Sequence, residues 1–270
     1  MRRLGIELLS IFDLPPVEFI QLAADMECQH ISIGLSGFPM KAYGYEPWSL
    51  REDKKLKREV KAALQDTGVT ISLGEGFAIR PERPITELVD DMALMAELGA
   101  PLLNTVAMDC DANRSLDQLG TLAEIAAELG LATTLEFAPG LAIDTLNKAA
   151  DTVKHIAHSK LGVLVDSMHL YRSGGNAQQL AALDAGLISY AQLSDTTFTP
   201  SGPDYMREAT FNRLQPGEGE LPLAEFLSAL PSDVIVGLET PNLERATTDK
   251  NPKRWIKECV TAARAIQPAE

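Results

Sequence analysis

The chain has 270 residues, 45% of them hydrophobic, with 38 acidic residues against 24 lysines and arginines and a net charge of −14. That composition supplies a globular core. It excludes the basic face that nucleic acid requires and disfavours an anionic membrane surface; no run is long enough to span a bilayer. Cys28, Cys110 and Cys259 are odd in number and widely spaced, which argues against a disulfide framework or a cysteine zinc site. The opening MRRLGIELLSIF carries a short apolar run interrupted by Glu7 and followed by no cleavage signal, so a cytoplasmic protein is expected.

In chain order, strand-like runs fall at residues 4–10, 30–35, 69–73 and 102–108. Four more follow: ATTLEFA (132–138), GVLVDSMH (162–169), ISYAQLSD (188–195) and VIVGLETP (234–241). Between them, residues 15–27, 51–66, 85–98, 115–129, 145–157 and 252–266 carry apolar residues at helical spacing. Gly99 and Gly130 stand where helix stops belong. About eight strand–helix units in a chain near 250 residues predict an α/β fold, a (β/α)8 TIM barrel, as one domain over 1–270. A doubly wound open sheet would place a glycine-rich phosphate loop after the first strand, and ELLSIFDLPP has none.

The last four runs each end on an oxygen-bearing side chain: Glu136, Asp166, Gln192 and Glu239. Runs this apolar read as strands buried on both faces. A polar residue at the end of such a strand is costly unless paired. In a parallel barrel all four ends reach one rim, the face that carries active sites. Three carboxylates and an amide gathered there repel one another unless a cation lies among them. Oxygen donors suit Mg²⁺ or Mn²⁺, with Zn²⁺ and Co²⁺ less suited, and four histidines in all leave no room for a purely soft-ligand site.

VDSMHL (165–170), QLSD (192–195), RLQPGEGELP (213–222) and GLETPN (237–242) resemble the xylose isomerase-like TIM-barrel superfamily, which includes ketose 3-epimerases, inosose dehydratases, dehydroshikimate dehydratases and endonuclease IV. The resemblance makes Glu136, Asp166, Gln192 and Glu239 the metal ligands, His169 a substrate-contacting residue and Arg213 a holder of substrate oxygens. Most members carry histidine at the position of Gln192; glutamine there resembles the dehydroshikimate dehydratase branch. The sugar-touching glutamate that ketose 3-epimerases carry beyond the position of Glu136 is missing from FAPGLAID, which offers Ala142 and then Asp144. LGEGFAIR only loosely resembles the dehydratase's arginine-bearing loop, with Arg80 displaced by a few positions.

The chemistry common to the superfamily is removal of a proton beside a carbonyl, with a cation stabilising the enolate. Glu136 and Glu239 are the candidate proton carriers on opposite faces of the substrate carbon, and His169 is a base, an acid or a residue that orients Asp166. Glu75 ends the third strand at the same rim, either against substrate or in a rim salt bridge. Asp195 reads as a loop cap, while His30, His155 and His158 read as structural. Arg207 is a second substrate arginine or a solvated charge. Phe38, Tyr43, Trp48 and Phe77 follow strands, where one or two wall the pocket, and residues 198–215 form a long loop placed like a lid.

The expected function is isomerisation or epimerisation of a small polyhydroxylated carbonyl compound, with dehydration of the 3-dehydroshikimate or inosose type as the alternative and a non-catalytic binder as a third. The partner is then a polyol or keto acid, not nucleic acid or membrane, and a homo-oligomer stays open. The few histidines and the acidity exclude an endonuclease IV-like trinuclear zinc centre.

Overall fold

A computed structural model of the chain describes residues 3–266. Its strands are β1 (Leu4–Ile6), β2 (His30–Ile33), β3 (Thr70–Ile79), β4 (Leu102–Ala107), β5 (Ala132–Glu136), β6 (Leu161–Asp166), β7 (Ile188–Leu193) and β8 (Val236–Leu238). They pair in sequence order, all parallel, and β8 returns to β1, closing an eight-stranded barrel. The expected (β/α)8 barrel is therefore the observed fold.

Helices α1 (Pro16–Asp25), α2 (Lys54–Thr67), α3 (Val89–Leu98), α4 (Ala112–Glu128) and α5 (Leu146–Ile156) lie where the periodicity places them. Asp53 starts α2 by accepting the N–H groups of Lys55 at 2.8 Å and Leu56 at 2.9 Å. Gly99 and Gly130 follow α3 and α4 with positive φ, as stops should. The second half adds α6 (Ser167–Arg172), α7 (Ala177–Ala181), α8 (Tyr205–Phe211), α9 (Leu223–Ala229) and α10 (Leu243–Thr248) before α11 (Pro252–Ala265). Helices α6 to α10 span five to seven residues each, too short for a helical period to show in sequence. Consequently the 198–215 segment, expected to be a long loop placed like a lid, contains α8.

Every residue of β6 is buried, which fits a strand covered by other strands' side chains within and by helices without. Outward residues such as Val163 and Val165 join the main core against the helices. Inward residues form a separate small cluster, Leu73, Leu102, Leu164 and Tyr190, across the barrel interior. Side chains alternate along a strand, so two residues beyond each of these floor positions the chain again points inward. Those next positions are Glu75, Asn104, Asp166 and Gln192.

The same alternation adds Glu7, Ser32, Glu136 and Glu239. One polar residue from each of the eight strands, or from its immediate end, thus makes a polar layer over an apolar floor. In a TIM barrel the interior is packed in such layers, and the layer at the C-terminal strand ends faces the loops that build active sites.

Candidate functional site

The polar layer forms the base of a cavity of about 450 Å³ at the C-terminal ends of the strands. Glu75, Glu136, His169, Arg213 and Glu239 all line it, and Phe38 and Phe77 contribute wall. Tyr43 and Trp48 pack into hydrophobic clusters instead. Glu7, Asp166 and Gln192 lie beneath, each at most 1% exposed.

Register explains this convergence. Asp166 pairs with Gln192 across β6 and β7, Gln192 pairs with Gly237, and Gly237 pairs with Gly5. Glu7 and Glu239 each continue inward two residues beyond those glycines. Glu75 is aimed by a different device. The β3–β4 register breaks between Gly74 and Phe77, so Glu75 sits in an irregular stretch of a strand that runs on to Ile79. The run expected over 69–73, with Glu75 at its end, stops this strand too early.

Arg213 is the buried counter-charge. Its Nη1 lies 2.5 Å from Asp166 Oδ2 and its Nη2 2.9 Å from Glu239 Oε2, while Nε donates to the Ala209 carbonyl at 2.6 Å. Burial opposes the Asp166 charge, but the Arg213 guanidinium and the His169 backbone N–H outweigh it and hold that carboxyl below its usual range. Asp166 Oδ1 accepts that N–H at 2.9 Å and so also caps α6. The cap explains why His169 follows three residues after Asp166: the first turn of α6 carries the imidazole back over the site.

His169 Nε2 faces Glu136 Oε1 at 3.3 Å, and its Nδ1 is 2.5 Å from the hydroxyl of Tyr205. A carboxylate accepts, so Nε2 carries the hydrogen and Nδ1 accepts from the Tyr205 O–H. Burial and the nearby Asp166 charge raise the Tyr205 pKa, keeping that hydroxyl a donor. Tyr205 lies on α8, which is tied down further by the buried Arg172–Glu208 ion pair at 2.5 Å. Sequence reasoning offers no signal for Tyr205, because α8 is invisible in the pattern. Asn104 is equally unmarked, yet its Nδ2 donates to Glu136 Oε2 at 2.6 Å and to Glu75 Oε2 at 3.3 Å.

Glu7 is the largest omission. It accepts the Tyr190 hydroxyl at 2.8 Å, and Gln192 Nε2 lies 3.4 Å from its other oxygen and 3.3 Å from Glu239 Oε1. One carboxylate oxygen each from Glu7, Glu75 and Glu239 lies within 4.8 Å of the others. Burial pushes the Glu7 carboxyl up to about 7 and raises Glu75 and Glu239 well above the carboxylate range; Glu75 is raised further by Glu7, Glu239 and Glu136, and Arg213 only partly opposes the rise at Glu239.

Two observations bear on whether these residues fit a divalent cation. Five carboxyl groups (Glu7, Glu75, Glu136, Asp166, Glu239) surround one buried guanidinium, an acid surplus that a dication would offset. The Gln192 carbonyl Oε1 is also fully buried without a hydrogen-bond partner, which leaves an oxygen donor free among the acids. The donor set of carboxylates and an amide oxygen fits a hard cation.

Raised carboxyl values have a stability consequence. A group whose pKa rises on folding binds more protons in the folded state, so stability falls as pH climbs from the unfolded value through the folded one. For Glu7 the window runs from about 4.5 to about 7. Metal-free protein is expected to lose melting temperature across that window, and added Mn²⁺ should flatten the decline; thermal unfolding in chelator at stepped pH measures both. A flat profile without metal would show that these acids are not held protonated.

Asp195 accepts the N–H groups of Thr196, Gly217 and Leu221 and so caps the loop as read. His30 Nδ1 lies 3.0 Å from Thr70 Oγ1, and His155 sits in the last turn of α5. Arg207 is exposed, with its guanidinium over the Phe211 ring. Asp144 pairs with Lys148 at 2.8 Å. Arg80 lines the cavity. Among the described residues no helix is long and apolar enough to cross a membrane.

A closed parallel barrel with its polar layer at the strand C-termini defines a TIM-barrel protein with a site in the enzymatic position. The chain belongs to the xylose isomerase-like TIM-barrel family, whose model matches residues 20–261. It is 30% identical over 143 residues to the inosose isomerase of Bacillus subtilis, covering 50% of each chain. It is also 30% identical over 184 residues to the 3-dehydroshikimate dehydratase of Pseudomonas aeruginosa, covering 63% of this chain and 29% of that one. The chain thus spans half the length or less of these two relatives. Among solved structures, the IOLI protein with a binding zinc atom superposes with a TM-score of 0.81 at 21% identity over 98% of this chain and 97% of that one. D-psicose 3-epimerase with D-tagatose, from Clostridium cellulolyticum H10, gives 0.74 at 15% identity over 99% and 100%. At these identities the structural matches establish the fold.

Proposed function

We propose that this protein is a divalent-cation-dependent isomerase or epimerase of a small polyhydroxylated carbonyl compound, with Glu136, Asp166, Gln192 and Glu239 holding the cation. The observation that carries this reading is the unpaired, buried Gln192 Oε1 within an acid surplus. The oxygen-only donor set favours Mg²⁺ or Mn²⁺. When bound, the cation supplies Lewis-acid polarisation of a carbonyl and its neighbouring hydroxyl.

The chain's own groups then move the proton. Glu136 and Glu239 reach the barrel mouth from β5 and from the end of β8, three strands apart in the closed ring, each with a carboxyl to take a proton from carbon or return it. Withdrawal on one face and return on the other inverts the carbon; return at the adjacent carbon isomerises the compound. His169, with hydrogen on Nε2 and Tyr205 donating to Nδ1, donates to a substrate oxygen. Arg213 keeps Asp166 and Glu239 in place and turns toward the cavity.

The acid surplus also supports a neutral substrate. Hydroxyl groups donate readily to carboxylates, whereas a substrate carboxylate would meet Glu75, Glu136 and Glu239, with the Arg213 charge already offset by Asp166 and Glu239. A dehydratase of the 3-dehydroshikimate type is the second reading, favoured by Gln192 and by the dehydratase relatives. The test incubates Mn²⁺-loaded protein in D₂O with inososes, with ketoses and with 3-dehydroshikimate. Deuterium entering recovered sugar is the expected result. Aromatic absorbance growing from 3-dehydroshikimate, without exchange into the sugars, would replace this reading with the second. No turnover of any of them, with ligand affinity retained, would point to a binder.

A further inference from the structure

Glu7 lies outside the proposed ligand set, yet it is built into the site more elaborately than some of its members. It is fully buried at the end of β1, and its Oε1 accepts the Tyr190 hydroxyl, which also lies 3.0 Å from Ser72 Oγ. The Ser32 hydroxyl gives it a further hydrogen bond. It lies directly over Gly237, where a Cβ would overlap Oε1, so the glycine on β8 is what admits this carboxylate. Gly237 is in register with Gln192 on one side and Gly5 on the other.

The remaining oxygen of Glu7 faces Gln192 Nε2 at 3.4 Å, and Glu239 Oε1 faces the same nitrogen at 3.3 Å. Both contacts are long, but they share one direction. A carboxamide has two ends of nearly equal size, so sterics alone do not decide which end faces the cavity. Two acceptors on one side decide it: the N–H₂ turns toward them and the carbonyl is turned away, to the position where Oε1 is left without a partner. Reversed, the carbonyl would oppose two carboxyl groups and an N–H₂ would face the cation. Glu239 belongs to the ligand set, which leaves Glu7 as the dedicated acceptor.

We infer that Glu7 is a positioning residue that fixes the Gln192 carboxamide with its oxygen, and not its nitrogen, toward the cation. This rests on the proposed ligand set. A neutral amide supplies an oxygen donor only while its orientation is held, and Glu7, with Tyr190 and Gly237 behind it, provides that hold. Outer groups that orient a metal ligand typically contribute about 10–100-fold to metal affinity.

The test is calorimetric titration with Mn²⁺. Glu7→Gln is expected to weaken binding by about 10–100-fold, because the new side chain has one acceptor where Glu7 uses two. Gly237→Ala, which displaces Glu7 without altering it, should give a loss of the same order. In a Gln192→Glu background the ligand has no nitrogen end to turn inward, so there Glu7→Gln should leave affinity unchanged or improved by relief of charge repulsion. That reversal separates orientation from general structural damage, which would lower affinity in both backgrounds. Wild-type binding with Glu7→Gln within about twofold of it, or equal losses in both backgrounds, overturns the inference while leaving the ligand set intact. Failure of the wild-type chain to bind Mn²⁺ overturns the ligand set as well.

Discussion

Glu239→Gln is expected to reduce turnover by about 10²–10⁴-fold, the usual contribution of a positioned acid–base group, while leaving melting temperature in the metal-free state equal to or above wild type. The two halves of this result have one origin. Glu239 stands 7% exposed in a layer with more acids than its single guanidinium offsets, and its carboxyl is raised by burial and by Glu136, Asp166 and Glu7. Removing one ionisable acid from that surplus relieves repulsion and leaves Arg213 paired to Asp166 at 2.5 Å, and the new amide oxygen can still accept from Nη2. Stability therefore has little to lose. Function loses a proton carrier and a charged cation ligand together. Glutamine keeps the shape, so a folding defect would not explain the loss. Deuterium exchange into substrate and thermal unfolding, measured on the same preparation, report the two halves. Turnover within about tenfold of wild type would remove Glu239 from the proton path.

The residues that sequence reasoning finds and misses differ for a physical reason. Glu136, Asp166, Gln192 and Glu239 stand out because each closes an apolar run, and the break in hydrophobicity marks the strand end. Glu7 also closes such a run, but LLSIF continues the apolar character beyond it, so a strand drawn over 4–10 makes it an interior charge. The fold ends β1 at Ile6 and puts Leu8–Ile11 in a 3₁₀ turn, which makes Glu7 the strand-end residue. Asn104 and Ser32 lie inside their strands, where a polar residue is unremarked until alternation is referred to a closed barrel. Tyr205 reaches His169 from a helix of seven residues, below the length at which a period shows. The architecture is legible because it repeats eight times; the ring is only half legible because polar layers depend on which face is inside.

Arg213→Met is expected to produce the second large effect, this time on stability. Methionine follows the aliphatic stem but leaves Asp166 and Glu239 without their buried partner, and breaking a buried pair by removing one member costs about 3–5 kcal/mol. Asp166 is the more sensitive of the two, since it has no exposure and is held ionised chiefly by that guanidinium. Arg213→Lys should recover little, because one ammonium cannot reproduce the fork that spans Asp166, Glu239 and the Ala209 carbonyl. A cation among the same carboxylates offers a second source of positive charge. Saturation at about 100 times its dissociation constant contributes about 2.7 kcal/mol to any protein that binds it only when folded. The variant should therefore regain much of its urea midpoint in Mn²⁺, and bind Mn²⁺ at least as tightly as wild type, since a competing positive charge has gone. Its turnover should stay low, because substrate oxygens would meet no guanidinium. A midpoint equal to wild type in chelator would mean that the acids protonate at no net cost when Arg213 is lost. A midpoint that Mn²⁺ fails to raise would mean that Asp166 and Glu239 do not share a cation, and the guanidinium would then be their sole counter-charge.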